Sequence, residues 1–365
     1  MARTGPAMPN PQDMQTLMGL FGSGRLAEAE ATARRLGRKF PEFYFLHNVL
    51  GAILSARGMP LEALASFGRA LALNPDFADA RYNAGIALHA LGRQGEAIAS
   101  FEAAIRLAPD NVQARINLGN VLQEAGRPEA AVDAFRAAAL LQPDFAPTHN
   151  NLGSALLALG RSADAIDCFR RALALAPDYP EAHNNLGLAL AAGGDLAGAM
   201  AAFREAIVFA PAYAQAHANL ADTLMRAAHY EEAVGAFEHA LALGLDAPEL
   251  HNNLGNALQE LRRFDAALRA YAAALARRPD YVEAHNNLGS VHKAQGRLEE
   301  AAGSFARARA LDPGFALAAG NLGRVRLLQG RHAEGLELML RHTGFIRFDA
   351  RSGVRLLLEP ADAAH

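Results

Sequence analysis

Asparagine recurs along this chain at a spacing that helices do not produce by chance. Asn83, Asn117, Asn151, Asn185, Asn219, Asn253, Asn287 and Asn321 stand 34 residues apart, each two residues before a glycine or, once, before Ala221. A carboxamide both donates and accepts, so a row of them can pair with the peptide groups of a ligand whatever its side chains. Asparagine is also a poor helix former, and eight in helical sequence are costly unless something uses them. Two uses are open. The amides hold an extended ligand, or they satisfy neighbouring helix carbonyls and keep adjacent units in register. At helical spacing the same face carries Asp79, Gln113, Glu181, Gln215, Glu249 and Glu283 on one side and Asn120, Ser154, Asp222, Asn256 and Ser290 on the other, followed by Gln123, Glu124, Gln259 and Glu260. The candidate peptide-binding residues are the eight asparagines with Asn120, Asn256, Gln123, Gln259 and Asp222. Their cations are few (Arg226, Lys293, Arg324, Arg326), so the wall reads as polar to mildly acidic.

The histidines form a second column: His47, His149, His183, His217, His251 and His285. Neighbours one repeat apart are far beyond what a metal–nitrogen bond of about 2.0–2.1 Å allows for shared coordination. They read as packing residues, and no metal or other cofactor is expected. Cys168 has no His or Asp partner suggested by spacing and reads as a small, half-buried filler. No phosphate loop, nucleophile elbow or metal motif occurs, so catalysis is not expected.

These side chains need elements that repeat. Gly51, Gly85, Gly119, Gly153, Gly187, Gly255, Gly289 and Gly323 lie on one 34-residue grid, with Ala221 filling the remaining point. That period predicts helix-turn-helix units, beginning near residues 10, 44, 78, 112, 146, 180, 214, 248, 282 and 316. The second helices repeat alanine (Ala63, Ala97, Ala131, Ala165) and an aromatic (Phe67, Phe101, Phe135, Phe169, continuing through Tyr271 to Phe305). Small residues let paired helices approach, and the rings fill the space left. Gly58, Gly92, Gly126, Gly160, Gly194, Gly296 and Gly330 stand where first helices end and suit a left-handed C-terminus. Pro-Asp pairs such as Pro75-Asp76 and Pro279-Asp280 separate the units, and each Asp is expected to cap the next helix, with Glu181 and Glu283 completing capping boxes. The unit from Ala214 to Asp246 lacks both glycines and the proline, and is expected to alter the local pitch or exchange its amides faster. The first unit has Leu17 for glycine, and the last has Gly335 and Met339 for alanine and the aromatic.

Composition agrees with an all-α array. Hydrophobic residues make up 51%, tryptophan is absent, and Lys plus Arg (35) nearly balances Asp plus Glu (38). No basic stripe tracks phosphates, so nucleic acid is not an expected partner. One cysteine excludes an internal disulfide, the first residues lack a signal-peptide core, and no apolar run nears about 18 residues. A cytoplasmic protein without membrane insertion is expected. Residues 1–9 read as a disordered leader, and 350–365 as a tail or the remnant of a further domain. Phe345–Phe348 and Val354–Leu358 flank an Asp/Ser/Gly segment with the alternation of a hairpin.

With Gly, Ala, aromatic, Ala and Pro in these columns, residues 10–349 resemble tetratricopeptide repeats. The narrower run His251-Asn252-Asn253-Leu254-Gly255-Asn256-Ala257-Leu258-Gln259-Glu260 is similar to the superhelical repeats of the O-linked N-acetylglucosamine transferase family. The resemblance implies a right-handed superhelical solenoid of about ten repeats, and inner-wall asparagines that hold the backbone of extended substrate segments. It carries over no catalytic domain. It also lacks the inner-wall lysines and arginines with which co-chaperone repeats clamp C-terminal carboxylates. First helices about 8–10 Å apart and a ligand advancing about 3.3 Å per residue match one asparagine to about three ligand residues. The expected function is a scaffold that binds an extended segment of a partner protein. The alternative is the substrate-recruiting part of a transferase whose catalytic domain lies elsewhere.

Overall fold

The structure, a computed structural model, describes residues 8–343 and the backbone of residues 346–349 and 353–356. Residues 1–7 of the expected leader, and the expected tail apart from 353–356, lie outside the described residues. Among the described residues twenty helices follow one another as ten helix-turn-helix pairs, whose first and second members are termed A and B. Contacts divide the chain into two units, Met1–Ala189 and Leu190–His365. The first holds the A helices Pro11–Gly22, Tyr44–Ala56, Ala78–Ala90, Val112–Glu124, Ala146–Ala158 and the start of Pro180–Ala192. The second ends that helix and holds the A helices Ala214–Arg226, Pro248–Glu260, Val282–Ala294 and Ala316–Leu328. Apart from Pro180–Ala192, each of these packs on its own B helix and, after the first of its unit, on the B helix before it.

The alternation of small and large residues explains the pairing. A methyl added to Gly153 would come 2.7 Å from the fully buried Phe169 ring, and one added to Gly289 would come 2.9 Å from Phe305. Only a missing side chain lets the two helices close to this distance. In the first pair the sizes are exchanged: Leu17 is fully buried in the glycine column and Ala33 takes the aromatic column. In the last pair Met339 fills the aromatic place against Gly323.

The A helices end as the glycines imply. After Tyr44–Ala56, Gly58 adopts φ 74°, its N–H donates to Ser55 O at 2.9 Å, and the Met59 N–H donates to Leu54 O at 2.9 Å. This is the double bond of a Schellman closure. In the unit beginning at Ala214 the turn survives without glycine, because Ala228 takes the same conformation at φ 60°, and Arg262 does so one repeat later at φ 56°. The B helix there, Tyr230–Ala242, is followed by Gly244 at φ 92°.

The capping expectation fails. The N-cap residues are Phe77, Phe145 and Tyr281, one position after the Asp, and none makes a side-chain cap bond. The proline-aspartate turn places the Asp one residue too early, and the aromatic follows it into the boundary. Asn111 is the exception, accepting from the Ala114 N–H at 2.9 Å. After the last helix, β1 (Ile346–Asp349) and β2 (Gly353–Leu356) pair antiparallel, with Ile346 opposite Leu356 and Phe348 opposite Val354. That is the hairpin its alternation implies.

Candidate functional site

The ladder asparagines sit mid-way along the A helices, and their side chains are committed across repeats. In the first unit the Asn83 amide donates to Asn48 Oδ1 at 3.0 Å, and that of Asn117 donates to the Tyr82 hydroxyl at 3.1 Å. Asn151 donates to Asn120 Oδ1 at 3.1 Å. Asn185 donates to both Asn150 Oδ1 at 3.0 Å and Ser154 Oγ at 3.3 Å. In the second unit Asn253 donates to Asp222 Oδ1 at 3.0 Å, Asn287 to Asn252 Oδ1 and Asn256 Oδ1 at 3.1 and 3.0 Å, and Asn321 to Asn286 Oδ1 at 3.0 Å. Asn219 accepts from Gln215 at 3.0 Å. In the other seven the nitrogen points to the preceding repeat, so these amides tie neighbouring repeats together.

The acceptors form a second column, displayed in the sequence but outside the candidate residues. Asn150, Asn252 and Asn286 are the first members of the Asn-Asn doublets; they are buried, and each also donates weakly to its neighbour's oxygen at 3.3–3.5 Å. A buried carboxamide without partners would cost about 1–3 kcal/mol. The doubled asparagine was the available signal.

What stays open to a ligand is clearest in the first unit. There His89, Asn120, Gln123, Glu124, Asn151 and Ser154 line a groove of about 500 Å³. It brings together the predicted Asn120, Gln123 and Asn151, and adds His89, which contacts Glu124 at 2.6 Å. Among the described residues Asn120 Nδ2 and the Gln123 carboxamide make no hydrogen bond, and neither is sealed from solvent. In the second unit Gln259 Oε1 lies 3.1 Å from the Tyr271 hydroxyl, which also donates to Asn256 at 2.8 Å.

Burial perturbs two charged groups of this face. Crowding around the Asp222 carboxyl raises its pKa above the ordinary carboxylate range, and the Asn253 amide partly offsets this. Burial, with Arg324 as a second cause, lowers the Lys293 ammonium.

The histidine column has a local task. His47, His149, His183, His217 and His285 each place Nε2 2.7–3.0 Å from the carbonyl of the proline six residues earlier. A carbonyl only accepts, so Nε2 carries the proton. His251, whose loop has Leu245 for proline, reaches Asp246 Oδ1 at 2.8 Å. The column therefore ties the inter-repeat loops down. Among the described residues no group of three His, Cys, Asp or Glu is placed to hold a metal ion. Burial, then Asp164 and Asp167, push the Cys168 thiol up, which disfavours the reactive thiolate. Among the described residues no helix is long and apolar enough to cross a membrane.

A family model described as a tetratricopeptide repeat matches residues 49–112, 95–150, 116–180, 150–216, 219–259, 253–314 and 292–350. Among solved structures the chain is similar to PilW, described as a widely conserved type IV pilus biogenesis factor, at 25% identity and a TM-score of 0.53, covering 59% of this chain and 97% of that one. It is similar in fold to the APC/C hetero-tetramer Cut9-Hcn1, at 19% identity and a TM-score of 0.54 over 76% of this chain and 55% of that one. It is likewise similar in fold to pilF of Pseudomonas aeruginosa, at 20% identity and a TM-score of 0.50 over 55% of this chain and 92% of that one. Comparison with curated proteins finds no match.

Proposed function

The chain belongs to the tetratricopeptide repeat family, whose members act as protein-interaction scaffolds, and from that premise we propose that it holds an extended segment of a partner protein along its A-helix face. The observation that carries this is the first-unit groove, about 500 Å³ lined by Asn120, Gln123 and Asn151, with the Asn120 nitrogen and Gln123 carboxamide open to it. Groups that both donate and accept suit a peptide backbone, and they bind with little regard to its side chains. The ladder nitrogens are engaged between repeats, where they set the repeat spacing, and that of Asn151 takes up Asn120 Oδ1 so that the Asn120 nitrogen faces outward. On this reading the protein is a non-enzymatic binding module, working in the cytoplasm without a cofactor.

The test is a double variant that spares the ladder, Asn120→Ser with Gln123→Ala. Serine occupies the Asn120 position one repeat later, as Ser154, so an acceptor for Asn151 is kept. Melting temperature is expected to hold. Two lost pairs, at about 0.5–1.5 kcal/mol each, weaken partner capture from the native host roughly 5- to 150-fold. Full capture by the folded variant overturns the groove reading. A second reading, substrate recruitment to a transferase carried elsewhere, draws on the His251–Glu260 motif. A transferase recovered with the wild type and lost with the variant favours it.

A further inference from the structure

The hydrogen bonds of the second unit run in one direction, and a carboxylate sets it. Ionised Asp222 can only accept, so the Asn253 nitrogen must face it, at 3.0 Å. Asn253 Oδ1 then faces the Asn252 nitrogen at 3.4 Å, which turns Asn252 Oδ1 toward the Asn287 nitrogen at 3.1 Å. The other hydrogen of that nitrogen goes to Asn256 Oδ1 at 3.0 Å.

At Asn256 a second donor arrives. The Tyr271 hydroxyl has one proton, and the shorter of its two contacts, 2.8 Å, takes it to Asn256 Oδ1. Both lone pairs of this oxygen are filled from two sides, and rotating the carboxamide would set its nitrogen against the Asn287 amide donor and take from the Tyr271 proton its shorter contact. Asn256 Nδ2 makes no hydrogen bond among the described residues and is not sealed from solvent. Four repeats earlier, where the aromatic position holds Phe135, the equivalent Asn120 accepts from Asn151 alone among the described residues. Tyr271 stands where the neighbouring repeats have Phe203, Phe237 and Phe305, and its ring is as buried as theirs. The hydroxyl is the added group. Burial raises its pKa, so it remains a donor throughout the physiological range.

We propose that Asn256 is the anchor for a backbone carbonyl of the bound segment in the second unit, and that Tyr271 is its positioning residue. The proposal rests on the groove reading and names the atom that meets the ligand there. A donor already held in its binding direction loses less rotamer entropy on association than a free one.

The test uses full-length protein with nitrogen-15-labelled asparagine, titrated with a short glycine-serine repeat peptide that presents a backbone and almost no side chain. The Asn256 side-chain amide signals are expected to shift on titration. Tyr271→Phe is expected to weaken the apparent affinity roughly three- to tenfold with melting temperature unchanged, because phenylalanine already serves this position in adjacent repeats. If other asparagine side chains shift while Asn256 does not, or if Tyr271→Phe leaves the affinity unchanged, this proposal falls and the groove reading stands. If no asparagine side chain responds, both fall.

Discussion

Asn253 donates its side-chain amide to the Asp222 carboxylate at 3.0 Å across 31 positions of sequence. Its counterpart Asn151 makes the same step to an amide oxygen of Asn120 at 3.1 Å. The difference matters because an amide can reverse and a carboxylate cannot.

Asp222→Asn should therefore separate stability from direction. Desolvation raises the Asp222 pKa, so the folded state binds that proton more tightly than the unfolded chain. The group's contribution to stability is full below the ordinary carboxylate range, about pH 4, and is lost as pH rises through the raised folded value. Asp222 is exposed overall, and solvent screening limits the size of the effect to one whose sign alone matters. At neutral pH the variant is expected to melt no lower than the wild type, with a flatter dependence of melting temperature on pH from about 4 to 7. Melting curves over that range check it, and a clearly lower melting temperature at pH 7 contradicts it.

Gly153→Ala should be costly where its counterpart change is mild. The new methyl would meet the buried Phe169 ring at 2.7 Å, and overpacking of this kind costs about 1–3 kcal/mol. Ala221 already carries that methyl above Phe237, which is still fully buried. Ala221→Gly should thus change stability by less than about 1 kcal/mol. Denaturant midpoints of the two variants give the comparison.

Ala228→Gly and Arg262→Gly should each stabilise the protein. Both residues hold left-handed backbone, at φ 60° and 56°, where a side chain costs about 1–2 kcal/mol. Glycine returns about 0.4–1 kcal/mol of that as unfolded-state freedom, leaving a net gain of about 0.5–1 kcal/mol. Gly126→Ala, at φ 69°, should move the midpoint the other way. Thermal or denaturant unfolding of the three variants decides the signs.

The period, the helix pairs and the left-handed turns were legible because they depend on contacts within one repeat or between adjacent ones. Each feature therefore recurs in register: Gly153 above Phe169, Gly58 after Ala56. The aspartate caps were misread for a local reason. A proline-aspartate-aromatic turn leaves the boundary uncertain by one residue, and the backbone gave the cap to Phe77 rather than Asp76. The histidines were read as packing because the proline carbonyl that His149 meets is a backbone atom, invisible in side-chain columns.

The sequence by itself determined that eight asparagines share one face, since helical spacing fixes that. Only the tertiary structure decided which way each amide points. A carboxamide has no intrinsic direction, and its orientation follows from whichever neighbour can only accept or only donate. In the second unit that neighbour is the Asp222 carboxylate, one repeat before Asn253.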